Sequence, residues 1–318
     1  MHLREILLTE SNETAWIYQR LWPAFVNAML EECYKLTKEY TVEFIQVSSP
    51  VPKRYSKLQK NVSTVMSRVV QKHIEDLYGP KIKYEGKRIK STSIRVKVII
   101  GEDDEKGGYH QSYNDTAIIL KPKGIEAVIR KLAYNLNDED VDFKQEFELD
   151  IARELGAIET LTHEITHLLQ SIRASTRTKK GLHGKSLITN IGPRGEYEGK
   201  ATGDITQRMK YIGFPLELEA YAAAAATALV RSATRHIRRE KDPQAWNRAI
   251  DSALDTLKHP NEAIKISSNF GLIFNNIKRA IETNNKVPNT FKTKEIARIW
   301  KRFLKMTYIQ VMSHKEKI

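Results

Sequence analysis

The residues best placed to do chemistry are His163, Glu164 and His167, in the run Leu161-Thr-His-Glu-Ile-Thr-His-Leu-Leu-Gln170. Residues four apart share one face of a helix, so both imidazoles can reach a single metal ion. Glu164 then stands beside them, placed to take a proton from an attacking water. Two histidines do not hold a catalytic zinc. A third protein ligand is required, with a fourth position open to water or substrate. Two segments offer one. Glu217, fifty residues after His167 at the start of a second helix, gives a His-His-Glu set of the kind zinc hydrolases use. Glu219 lies about 200° further round that helix, so the two carboxylates cannot face one ion together. His183, sixteen residues after His167 in Gly181-Leu-His-Gly184, would instead make a His-His-His set. Amide hydrolysis also needs a group to stabilise the oxyanion, and Tyr211, Tyr197 or His183 could supply it.

These residues need a scaffold. Leu161, Ile165, Leu168, Leu169 and Ile172 form an apolar stripe at helical spacing, so the motif is expected on a core-facing helix that begins near Lys144 or Asp150 and ends around Arg173. Upstream, residues 11–39 repeat Trp16, Leu21, Phe25, Met29, Cys33 and Leu36 at helical spacing, and Tyr40–Val47 reads as a strand. A basic helix is expected from Ser56 to Leu77 with Leu58, Val62, Val65, Val69 and Ile74 inside, stopped by Gly79-Pro80. Ile94–Ile100 alternates as a strand does, Thr116–Lys121 makes another, and Pro122–Asn135 a helix. Residues 174–209 read as a long loop. Pro215 suits the first position of a helix whose alanines at 222–226 allow close packing. Three more helices are expected near 243–257, 260–283 and 291–312.

At 318 residues, 41% hydrophobic and 29% charged, the composition is that of a globular protein. A single cysteine, Cys33, excludes an internal disulfide or a thiolate zinc cluster and fits a reducing cytoplasm. No apolar run is long enough for a membrane span, and the first residues do not read as a secretory signal. The net charge of +13 is uneven. Residues 51–97 hold thirteen Lys/Arg against three acids and residues 260–318 hold twelve against four, whereas residues 101–159 hold fifteen acids against seven bases. Such basic flanks suit nucleic acid or an acidic partner.

His163-Glu164-x-x-His167 with a distal Glu217-x-x-Ala220 resembles the gluzincin branch of the zincin metallopeptidases. The metzincin pattern is excluded, because Gln170 and Arg173 stand where its glycine and third histidine would be. Gln170 and Tyr211-x-x-x-Pro215-x-Glu217-x-Glu219-Ala220-Tyr221-Ala222 resemble zincin-like proteins encoded by tailed bacteriophages. The likeness spans about residues 94–230. It implies a zinc peptidase acting on a peptide or protein, with Glu164 as general base, and an antiparallel edge strand beside the site at Gly108-Tyr109. It departs at Tyr221, where many gluzincins carry an aspartate that orients the first histidine. The fold expected is α+β and mostly helical: a zincin-like core with a small antiparallel or mixed sheet, the motif helix and a C-terminal helical subdomain. Its parts would be a basic N-terminal region over residues 1–93, the core over 94–240 and a basic helical region over 241–318. The location would be cytoplasmic, in a host cell or virion if the chain is phage-encoded. Two other readings compete. SprT-like proteases, which cut DNA-linked proteins, have a His-Gly placed as His183-Gly184 is. A non-catalytic virion or nucleic-acid-associated protein could keep zinc as a structural clip.

Overall fold

The computed structural model describes residues 14–39, 55–84, 87–101, 107–135, 143–177, 212, 215–237, 241–284 and 290–315. The fold is α+β and mostly helical, with sheets of two and three strands. The chain divides into two units, Ile17–Arg177 and Met1–Trp16 together with Thr178–Ile318. No helix among the described residues is long and apolar enough to cross a membrane.

The unit Ile17–Arg177 opens with a π-helical turn, Ile17–Leu21, that runs into α1 (Trp22–Glu39). Leu21, Phe25, Met29 and Cys33 are buried along one face, as their spacing requires. Helix α2 (Ser56–Tyr78) follows, ending at Gly79, whose φ of 86° suits glycine and whose N–H donates to the Glu75 carbonyl. Its core residues are Leu58, Val62, Met66, Val70 and Ile74. The expected Val65 and Val69 are only half-buried, because Met66 and Val70 take the inward positions.

A short antiparallel hairpin, β1 (Lys81–Tyr84) and β2 (Lys87–Lys90), comes next and was not expected from the sequence. The main sheet has the order β3-β5-β4, from β3 (Val96–Ile100), β4 (Gly107–Ser112) and β5 (Asp115–Leu120). β3 runs parallel to β5 and β4 antiparallel to it, in the register Gly108↔Ile118 and Tyr109↔Ala117. Among the described residues β4 is thus an edge strand.

The opposite edge is closed by α2, whose side chains at steps of four meet the β3 backbone at steps of two. Gln59 Oε1 accepts from Ile100 N at 2.6 Å, and Ser63 Oγ from Val98 N at 2.8 Å. Ser67 Oγ both accepts from Val96 N (3.0 Å) and donates to Val96 O (3.1 Å), as a neighbouring strand would. Gln71 Nε2 donates to Ile94 O at 2.7 Å. Four helical residues rise about 6.0 Å and two strand residues about 6.6 Å, so the two repeats run nearly in step.

Helix α3 (Pro122–Asn135) follows the sheet. The single motif helix expected from about residue 144 is two helices, α4 (Phe143–Leu155) and α5 (Ala157–Arg177). Gly156 separates them with a φ of 58°, a left-handed conformation that ends the first helix. The stripe of α5, Leu161, Ile165, Leu168, Leu169 and Ile172, is fully buried as expected. α5 packs on β1, β4 and β5.

In the other unit, α6 (Pro215–Thr234) packs on α7 (Pro243–Thr256), α9 (Ser268–Asn284) and α10 (Thr290–Met312). Ala222–Ala226 are all buried, and their small side chains let neighbouring helices come close. The helix expected over 260–283 is divided into α8 (Pro260–Ile266) and α9. Ser267 between them is extended and accepts the Phe270 N–H with its Oγ, an N-cap that starts α9 afresh. Phe270, Trp300 and Phe303 fill the core between α9 and α10, with ring centroids 5.5–5.7 Å apart. The motif helix, expected to end around Arg173, runs on to Arg177, so the first four residues of the loop expected over 174–209 are helical; the rest of that loop and the expected strand at 40–47 lie outside the described residues.

Candidate metal centre

The His163 and His167 rings meet on one face of α5, with Nε2 atoms 3.2 Å apart and ring planes at 86°. Two nitrogens bound to one tetrahedral zinc at about 2.05 Å would stand roughly 3.3 Å apart, so the pair is spaced for a shared ion. His167 is buried and its Nδ1 lies 3.0 Å from Gln170 Oε1. With the amide oxygen as acceptor, Nδ1 carries the proton and Nε2 keeps its lone pair, directed toward His163. This outer partner fixes ring orientation in the way metal-binding histidines usually require. The sequence pattern alone assigns Gln170 no part in the site. Its place three residues after His167, within reach on a helix, is the signal that identifies it.

Glu164 is buried, and its Oε2 has no hydrogen-bond partner among the described residues. A buried carboxylate oxygen without a donor is costly unless a further group, such as a water, completes it. The edge strand comes very close to this side chain. A Cβ on Gly108 would stand 2.5 Å from Glu164 Cγ and 2.6 Å from the Ala117 carbonyl oxygen. Only glycine fits there, because the neighbouring strand's backbone cannot yield. Next to Gly108, Tyr109 Oη reaches Asp115 Oδ1 at 3.4 Å, and burial together with that carboxylate raises the phenol above its ordinary value.

In the other unit, Pro215 opens α6 and Glu217 falls in its first turn, where the helix dipole favours a negative charge. Glu217 and Glu219 are both buried, Glu217 with 1% of its surface exposed. A buried carboxylate demands a charged or hydrogen-bonding partner, so the position is chemically committed. Tyr211, Tyr197 and His183 lie outside the described residues.

Comparison with known proteins finds no match: no protein-family model, no curated protein and no solved structure matches this chain. What the site can do therefore rests on its own geometry.

Proposed function

We propose that this chain is a zinc-dependent peptidase in which His163, His167 and Glu217 hold the ion and Glu164 is the general base. The observation that carries this reading is the pairing on α5 of two imidazoles spaced for one ion with a buried, unsatisfied Glu164 oxygen beside them. For the third ligand, support comes from Glu217 itself, a carboxylate 1% exposed in the first turn of α6, where burial calls for a positive partner. Two neutral imidazoles and one carboxylate, with nitrogen and oxygen donors only, form a set that suits zinc. When bound, zinc supplies Lewis acidity to the scissile carbonyl and to water.

The remaining work falls to the chain. Glu164 would receive the water's proton on its free oxygen and return it to the leaving amine. Gln170 Oε1, 3.0 Å from His167 Nδ1, would hold His167 in the tautomer whose Nε2 can bind the ion. Among the described residues, the edge of the three-stranded sheet to which an extended peptide could add is β4, since α2 occupies the far edge of β3. Gly108 lets such a peptide's path run beside the base without an intervening side chain.

Zinc content by mass spectrometry and cleavage of a mixed peptide library test the assignment together. Wild type should carry one zinc per chain and cleave. Glu164→Gln should keep the zinc and lose cleavage. Glu217→Ala should lose the zinc, whereas His183→Ala should keep it. Zinc lost in His183→Ala and kept in Glu217→Ala would transfer the third-ligand role to His183. Cleavage surviving in Glu164→Gln would remove the proposed mechanism.

A further inference from the structure

A second feature of the unit Ile17–Arg177 lies along the outer side of the seam where α2 seals β3. A groove of about 470 Å3 follows this seam, and none of its ten lining residues is acidic. One wall is α2, where Lys60, Thr64 and Arg68 recur at steps of four. The other is the strand and its approach, where Arg95 and Lys97 point the same way beside Thr92. Lys60, Arg68, Arg95 and Lys97 are all exposed. Lys97 bonds Asp115 at 2.8 Å, but Lys60 and Arg68 form no ion pair among the described residues. Along α2 the two cations stand about 12 Å apart, with the Thr64 hydroxyl midway between them. Arg95, just before β3, and Lys97 on it are about 6.6 Å apart along the chain.

The hairpin that leads into this groove carries an independent sign of the same preference. Across it, Lys81 stands opposite Lys90, and Lys83 opposite Arg88. All four are exposed, while Ile82 and Tyr84 face inward. Like charges directly opposite one another on paired strands are destabilising. None of the four has an acidic neighbour in an ion pair among the described residues. The cost is retained on two successive rows, which is the arrangement expected where an anionic chain, rather than the protein's own carboxylates, supplies the countercharge. Lys90 lies two residues before Thr92, so hairpin and groove are consecutive in the chain.

We propose that the α2–β3 groove, extended by the β1–β2 hairpin, binds the phosphate backbone of a nucleic acid. Lysine, arginine and threonine hydroxyls are the usual donors to phosphate oxygens. A repeating line of cations with hydroxyls between them fits a polymer of phosphates better than a single anion. No aromatic ring is among the residues lining the groove, so it offers no platform for base stacking, and its cations and hydroxyls are those that contact the phosphate backbone. Binding is therefore electrostatic and sequence-independent. This inference does not rest on the metal centre, and its test needs neither zinc nor cleavage.

The test is anisotropy of a fluorescein-labelled 20-base-pair random DNA duplex with the full chain, at 50–200 mM salt. Four phosphate contacts give a slope of log K against log salt of about −3.6 or steeper, a loss of about 150-fold across that range. Lys60→Ala/Arg68→Ala should shallow the slope by about 1.8, leaving about a 12-fold loss if the original slope is −3.6. Lys301→Ala/Lys305→Ala removes the same charge from exposed positions of the other unit and should leave the slope unchanged. An unchanged slope in the groove variant overturns the proposal, as does an equal fall in the control. So does polyglutamate that competes as well as unlabelled duplex of equal charge, which would point to an acidic protein partner. Variants of both kinds replace exposed side chains, so circular dichroism should show wild-type folding.

Discussion

Replacing Gly108 by alanine tests how tightly the edge strand is set against the motif helix. The added methyl would sit 2.5 Å from Glu164 Cγ, whereas ordinary contacts begin at 3.4 Å, so something must move by about 0.9 Å. It cannot move toward β5, because the Ala117 carbonyl oxygen is only 2.6 Å away on that side. Either β4 is pushed outward, or the Glu164 side chain leaves its position. Overpacking of this kind costs about 1–3 kcal/mol. For a unit of this size that lowers the melting temperature by about 2–12 °C. The proposed chemistry is more sensitive than the fold, since a displacement near 1 Å of a reacting group can lower the rate by about 100-fold. Thermal melts by circular dichroism and peptide cleavage should therefore both fall, with zinc content unchanged. A variant that melts within 1 °C of wild type and cleaves normally would refute the reasoning, because β4 could not then be pressed against Glu164 as described.

Two further outcomes follow from named contacts. Gln170→Ala removes the acceptor that orients His167 and should weaken zinc affinity by about 10–100-fold in competition with a chelator, and the buried Nδ1–H left without its acceptor should cost about 1–3 kcal/mol of stability. Burial pushes the His73 imidazole down to about 4, against the pull of Asp76. The folded chain then binds that proton less readily than the unfolded chain does. Its contribution to stability is present above the ordinary histidine value near 6.5 and is lost as pH falls from there toward 4. Urea unfolding across that range should show this loss in wild type and a flatter profile in His73→Gln.

The motif helix was the most legible part of the sequence because two signals coincide there: the His163/His167 spacing and the stripe from Leu161 to Ile172. Its beginning was less legible. Strong helix formers stand on both sides of Gly156, and one glycine within such a run indicates a break only when its φ is known to be positive. In α2 the apolar residues offer two registers, Val65/Val69 and Met66/Val70. The choice depends on the partner surface, here a strand edge that claims Ser63 and Ser67. The β1–β2 hairpin escaped notice because Lys81-Ile-Lys-Tyr and Lys-Arg-Ile-Lys90 read as basic surface, and their pairing sets like charges opposite one another. Glu217 could be named as a candidate because it stands in the first turn of a helix opened by Pro215, fifty residues after His167. Its burial depends on packing that no local pattern records.

The seal between α2 and β3 leaves a trace that can be searched for. A helix advances slightly less per four residues than a strand does per two, and a strand twists while a helix runs straight. The two can touch closely only over a short central stretch, and they diverge beyond it. The side chains follow that divergence. The central rungs are serines, Ser63 and Ser67, and the outer rungs are the longer glutamines, Gln59 and Gln71. The length of each rung thus compensates for the distance it must span, which confines the ladder to about four rungs. Written as a pattern, Gln-x-x-x-Ser-x-x-x-Ser-x-x-x-Gln ahead of an alternating apolar segment is a sequence signature for a helix that stands in for a missing strand.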